Sequence, residues 1–280
     1  MKKFEKKKRK NGTFKQIPKN LKKKLNATYL DITNSTYPVG KYGLPALACD
    51  IDVYPDHIAL YNNPKDYHKT DKTAVAFYLF DNVFDGENGL YNAIYFNNEK
   101  RLKEFKKRFE GVKFFISPDY SQLGDIDLIE NLHRLKKSRV TSLWLMKELH
   151  ASVIPNITFP TLDELDTYLS GLEDCNVVAF STMGIIKDLI ERQILQEAIK
   201  YTVKYLKKLK TIIVFDVCAE DDNAKDIFSY AIQKGIKIVI PDNKLKIRNR
   251  INKKIRSEKR RLKCEGQTVN LQMELPFHLN

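Results

Sequence analysis

Short apolar runs alternate with amphipathic stretches along the middle of this chain. Residues 74–80, 113–116, 152–157, 177–180, 211–215 and 236–240 form continuous runs rich in β-branched and aromatic residues. That is the pattern of strands buried on both faces. Between them, 98–109, 126–150, 162–169, 187–208 and 223–234 repeat apolar residues at helical spacing, the second with a weak point near Ser138. The alternation predicts parallel strands joined by crossover helices, an α/β fold. An earlier pair of runs, 45–53 and 57–61, flanks Tyr54-Pro55-Asp56 and reads as a hairpin or two further strands. Seven or eight strands suit a (β/α) barrel-like form or partial barrel, or an open doubly wound sheet. No Gly-rich dinucleotide turn follows an early strand, which favours the barrel-like form.

Charge divides the same chain differently. Twelve Lys/Arg and one Glu lie between Lys2 and Lys24, and eleven Lys/Arg and one Glu between Lys244 and Lys263. These blocks carry about +21 in a chain of net +14, so the remainder is about −7: basic extensions on an acidic body. Residues 1–26 read as a basic arm, disordered when free. Residues 27–242 are the α/β domain, and 243–263 a basic helix with a thin stripe of Leu245, Ile247, Ile251, Ile255 and Leu262. Segregated blocks of this density meet polyanions, so DNA (or RNA) is the expected partner, bound by counterion release. The residues expected to bind are Lys6, Lys7, Lys8, Arg9, Lys10, Lys22, Lys23 and Lys24 in the arm. In the helix they are Arg248, Arg250, Lys253, Lys254, Arg256, Lys259, Arg260 and Arg261. The arms lack Trp and carry little aromatic anchoring, so a membrane surface is the weaker fit.

The last residues, 264–280, read as a flexible tail with a ligand near its end. Gln272-Met273-Glu274-Leu275-Pro276-Phe277 resembles the peptide that bacterial replication and repair proteins insert into the DNA polymerase sliding clamp. The Gln272 amide suits a pocket rim, Leu275 and Phe277 suit an apolar slot, and Pro276 stiffens the backbone. The same residues also permit an edge strand, with Val269, Leu271 and Met273 alternating.

Polar residues follow each predicted strand. Asp81, Asp119, Asp216 and Asp242 stand at strand exits, where side chains of α/β proteins converge on one face. Gathered together, they would hold a divalent cation such as Mg²⁺ or Mn²⁺ or divide acid and base roles in a nuclease or phosphodiesterase. Ser181-Thr182-Met183-Gly184 precedes a helix and is a candidate phosphate site through Ser181, Thr182 and Gly184. Asp and Ser also cap helices and make turns, which accounts for any single one of these positions.

Several classes are set aside. The chain has no His-x-His pair, no GK[ST] phosphate loop and no Gly-x-Ser-x-Gly elbow. Its four cysteines have no zinc spacing, and Cys175 and Cys218 read as core. No apolar run reaches membrane-spanning length and no apolar signal core follows the lysine-rich start, so a reduced cytoplasmic protein is expected. Trp144 reads as core.

Five ordered segments resemble the uncharacterised domain-of-unknown-function family numbered 4417, found in bacteriophages and other mobile elements. They are Ala76-Phe77-Tyr78-Leu79-Phe80-Asp81, Ser117-Pro118-Asp119-Tyr120-Ser121, the helical stretch through Arg134 and Arg139, Val153-Ile154-Pro155-Asn156-Ile157-Thr158-Phe159, and Ala179-Phe180-Ser181-Thr182-Met183-Gly184. The resemblance spans about residues 40–240. It implies an α/β fold and a mobile-element setting but no activity. The chain departs from the family pattern at Phe80, where a second acid is usual, at Phe159, where Trp is usual, and at Asp216, where Gly is expected.

Overall fold

The structure, a computed structural model, describes residues 19–264, with the side chains of residues 20–261. The described chain enters through two short helices, α1 (Lys19–Lys24) and α2 (Leu30–Thr33), and an antiparallel pair, β1 (Pro38–Val39) with β2 (Leu44–Pro45). Two strands follow, β3 (His57–Leu60) and β4 (Thr73–Ala76), then three helices, α3 (Asp81–Phe84), α4 (Leu90–Tyr95) and α5 (Glu99–Arg108). The chain then alternates: β5 (Phe114–Ile116), α6 (Leu128–Leu149), β6 (Ser152–Ile154), α7 (Leu165–Leu169), β7 (Val177–Ser181), α8 (Leu189–Tyr205) and β8 (Thr211–Phe215). Last come α9 (Asp222–Ile227), α10 (Ser229–Gln233), β9 (Lys237–Val239), β10 (Asp242–Asn243) and the long α11 (Lys244–Cys264).

All strand pairs from β3 to β10 are parallel, as apolar strands covered by crossover helices should be. One sheet has the order β10-β3-β4-β5-β6 and the other β7-β8-β9. They meet at two seams. At the first, Asn156 and Ala179 form a single parallel bridge, with Ala179 N donating to Pro155 O and Ile157 N to Ala179 O. At the second, residues 237–243 pair first with β8 and then, past Ile240-Pro241, with β3. The order of neighbours therefore comes back on itself, although the ladder is interrupted at both seams. Tyr78, just beyond β4, stacks on Phe215 of β8 with ring centroids 4.5 Å apart. Those strands are not neighbours in the ladder, so the two sheets share an interior there. A large apolar core fills it, with β4, β7 and β8 buried almost throughout and Trp144 enclosed by it.

Where elements depart from the sequence pattern, local chemistry accounts for it. α6 runs unbroken past Ser138 because that hydroxyl donates to Pro118 O, outside the helix, while Ser142 donates to Ser138 O within it. Asp127 caps its start, and left-handed His150 ends it. The stretch expected as one helix at 223–234 is split at Phe228 into α9 and α10. The expected strand at 45–53 keeps only Leu44–Pro45 in a ladder. Beyond it the chain is held by Gly171 O, which accepts from Leu47 N, and by the Asn176 side chain, which accepts from Ile51 N. A Cβ on Gly171, at φ +84°, would lie 2.6 Å from Val39 Cγ2, so glycine alone permits this approach. Cys49 and Cys175 are buried, whereas Cys218 is only half-buried and belongs to the loop after β8 rather than the core.

Candidate functional site

The carboxyl ends of β4, β5 and β6 bring together a polar group built by neighbouring strands. Asp81 opens α3, and Ser121 donates to its Oδ1 through both the backbone N–H (3.1 Å) and the hydroxyl (3.0 Å). Arg134 of α6 lies 3.6 Å from its Oδ2 and donates to Ser121 O. Asp119, after β5, accepts from Asn156 Nδ2 at 2.8 Å and from the Thr158 hydroxyl. Asn156 is itself oriented: Ser117 Oγ accepts from its backbone N, and the Tyr78 hydroxyl donates to its Oδ1, both at 2.8 Å. Asp119 keeps some exposed surface, but its carboxyl is closely surrounded by protein atoms. Burial first, and then the charge of Asp81, raise its pKa to about 7 against the pull of its two hydrogen-bond donors. A carboxyl so placed exchanges its proton near neutrality. The adjoining cavity, lined by Ser117, Gln122, Asn156 and Thr158 among others, is only about 10 Å³, room for one water.

Asp216, after β8, belongs to a different group. It is fully buried, and its Oδ1 accepts from Thr182 Oγ1 at 2.7 Å while its Oδ2 accepts from Cys218 N at 3.2 Å. Its charge faces Lys246 of α11, also fully buried, whose Nζ lies 3.9 Å from Asp216 Oδ2 and 2.5 Å from Asp221 Oδ1. The Asp221 contact is an ion pair, close but not aligned as a hydrogen bond. Asn243 completes the group. Its Oδ1 caps α11 by accepting from Lys246 N, and its Nδ2 donates to Asp216 O. The fourth expected carboxylate, Asp242, lies 2.5 Å from Arg250 Nη1. The four Asp thus do not form one centre. Among the described residues, no group of three or more His, Cys, Asp or Glu is placed to hold a metal ion, so the expected Mg²⁺ or Mn²⁺ site does not fit this arrangement.

The expected phosphate site at Ser181, Thr182 and Gly184 is not assembled either. Ser181 Oγ accepts from Met183 N, and Thr182 is committed to Asp216. α8 begins only at Leu189, and the Asp188 carboxylate takes the N–H groups of Ile190 and Glu191. The N–H groups at the start of α8 are thus taken by the protein's own carboxylate.

α11 starts on this same face and is polar nearly all round. Its first half is fastened to the loop after β8: Asn249 donates to Val217 O, Arg250 to Ala219 O, and Lys253 pairs with Glu220. Arg261 pairs with Glu258 within the helix. Lys244, Arg248, Lys254, Arg256, Lys259 and Arg260 are exposed and have no ion-pair partner among the described residues. Of the expected phosphate-binding cations, Arg250, Lys253 and Arg261 are therefore engaged in the fold. Lys22 of α1 is buried against Asp31 at 2.5 Å, while Lys23 and Lys24 are exposed. Lys6, Lys7, Lys8, Arg9 and Lys10, and the clamp-like Gln272, Met273, Leu275, Pro276 and Phe277, lie outside the described residues.

In the sequence, Tyr78 reads as part of a strand, Ser117 and Asn156 as ordinary strand-exit residues, Thr158 only as part of the family-like segment, and Lys246 only as charge. None of the five carries a local signal; their roles come from partners between 30 and 78 residues away, apart from the Asp221 and Asn243 contacts of Lys246.

The fold and this face define a parallel α/β protein with a basic helix carried at the carboxyl ends of its strands. A family profile, the domain of unknown function DUF4417, matches residues 37–233, and the chain belongs to that family. α11 lies beyond the matched region. Comparison with curated proteins and with solved structures gave no match.

Proposed function

We propose that this chain is an accessory protein of a phage or related mobile element that acts in DNA replication. It holds nucleic acid through α11 and the N-terminal basic residues, and engages the bacterial sliding clamp through residues 272–277. The observation that carries the nucleic-acid half is the set of exposed cations on α11 without ion-pair partners, on a protein whose remaining charge is negative. Cations that serve the fold are paired, as Lys246 and Arg250 are, whereas unpaired ones on a single helix suit a polyanion. The clamp half rests on the peptide sequence. The metal-dependent nuclease alternative finds less support, because its candidate carboxylates are divided between two groups with separate partners.

A labelled peptide of residues 264–280 titrated against a bacterial sliding clamp, followed by fluorescence polarisation, tests the clamp half. Saturable binding is expected, and Gln272→Ala with Phe277→Ala should abolish it. In the full chain, removing residues 272–280 should end clamp binding while leaving DNA affinity nearly unchanged; equal loss of both would overturn this division of labour.

A further inference from the structure

α11 is 21 residues long, about 30 Å, and only part of it touches the body. After Lys253, no hydrogen bond or ion pair from its described side chains reaches another element. The projecting half therefore makes a corner with the loop after β8. A groove of about 540 Å³ lies there, lined by Ala219 on the loop side and by Asn249, Asn252, Lys253, Arg256, Ser257 and Arg260 on the helix side. These helix positions share one face.

Most of the lining is already committed. The Asn249 amide goes to Val217 O, Ser257 Oγ to Lys254 O, and Lys253 to Glu220. Asn252, Arg256 and Arg260 have no such partner among the described residues, and they recur every four residues. They are thus spaced by about 6 Å along the axis, comparable with the separation of neighbouring phosphates on a strand. Guanidinium and amide donors in a row suit phosphate oxygens. The lining holds no aromatic side chain, whereas sites built for single strands combine cationic grooves with stacking platforms.

We infer that this corner seats one phosphodiester strand of a duplex, held by backbone contacts from Asn252, Arg256 and Arg260. The inference rests on the nucleic-acid reading above and adds its form: duplex in preference to single strand, without dependence on base sequence. Glu220 restrains the site by occupying Lys253.

Fluorescence anisotropy of the full-length chain tests this, with labelled duplexes of two unrelated sequences and the corresponding single strands, across a salt series. Duplex should bind more tightly than single strand, and the two sequences alike. Arg256→Ala with Arg260→Ala should weaken duplex binding roughly tenfold or more and make the slope of log K against log salt shallower by about 2. Lys65→Ala with Lys72→Ala removes the same charge from the exposed loop between β3 and β4 and should leave the slope unchanged. Glu220→Gln, which frees Lys253, should tighten binding, a gain that misfolding cannot produce. A groove variant no different from the loop control, or tighter binding of single strands, would overturn the inference while leaving the nucleic-acid reading intact. Absence of any binding by the unaltered chain would overturn both.

Discussion

Asp119 keeps its carboxyl between Asn156 and Thr158 with Asp81 beside it, so the fold favours the neutral form. Its folded pKa of about 7 stands above the ordinary 3.8 of the unfolded chain. The native state therefore binds the extra proton between those values. The stability this contributes is present in full below about pH 3.8 and is lost as pH rises through about 7. Asp119→Asn keeps the shape and cannot ionise. It should melt several degrees above the unaltered protein at slightly alkaline pH, each kcal/mol being worth roughly 2–4 °C in a chain of this size. The difference should vanish near pH 4. Parallel melting curves across that range would show that the Asp119 carboxyl does not ionise in a buried setting. The sequence marked Asp119 as a strand-exit acid, but Asn and Asp at strand exits are ordinary turn and cap residues. Only the convergence of Tyr78, Ser117 and Thr158 on the Asp119–Asn156 pair separates this one from Asp242, which is spent on Arg250.

Among the elements, α11 shows how one residue can be miscounted by pattern alone. Spacing and composition identified the helix within a residue or so of its observed span, Lys244–Cys264. Its cations looked interchangeable, yet Lys246 is fully buried between Asp216 and Asp221, while Lys254 and Arg256 are exposed. The half-buried Leu245, Ile247, Ile251 and Ile255 stay outside the apolar core, so polar contacts fasten the helix. Lys246→Met should then cost about 3–5 kcal/mol, because it leaves a buried carboxylate without its counter-charge. Adding Asp216→Asn should recover most of that loss, since replacing both charges by neutral groups avoids the unpaired one. Urea unfolding of the two variants checks this; a single variant as stable as the unaltered chain would mean that the pair does not hold the helix. α6 carries the converse lesson. Ser138 looked like a break because its hydroxyl can compete with helix hydrogen bonds, but Pro118 O accepts it across the fold.

For the whole molecule, the separation of charge matters more than its total. A body of net negative charge would repel a polyanion, so the proposed nucleic-acid binding would be carried by the basic extensions and would depend on ionic strength. If the six unpaired cations of α11 each neutralise a phosphate, affinity should fall by roughly a thousandfold or more between 50 and 200 mM salt. A nearly flat salt dependence would mean that these cations serve solubility instead. No helix among the described residues is long and apolar enough to cross a membrane.

Strand and helix alternation, the buried character of the strands and the basic helix were all determined by the sequence itself. Each depends on neighbours a few residues apart, and burial on both faces or on one stripe writes a local period into the chain. Tertiary structure alone decided which charges are free, and it divided the four strand-exit carboxylates between two groups. It also decided that only the first half of α11 is fastened to the loop after β8, leaving a cationic groove beside its second half. The physical reason is common to all of these. Whether a charge is paired, buried or exposed depends on what folding places beside it, and for the buried Asp216 those partners lie about 30 residues away in the chain.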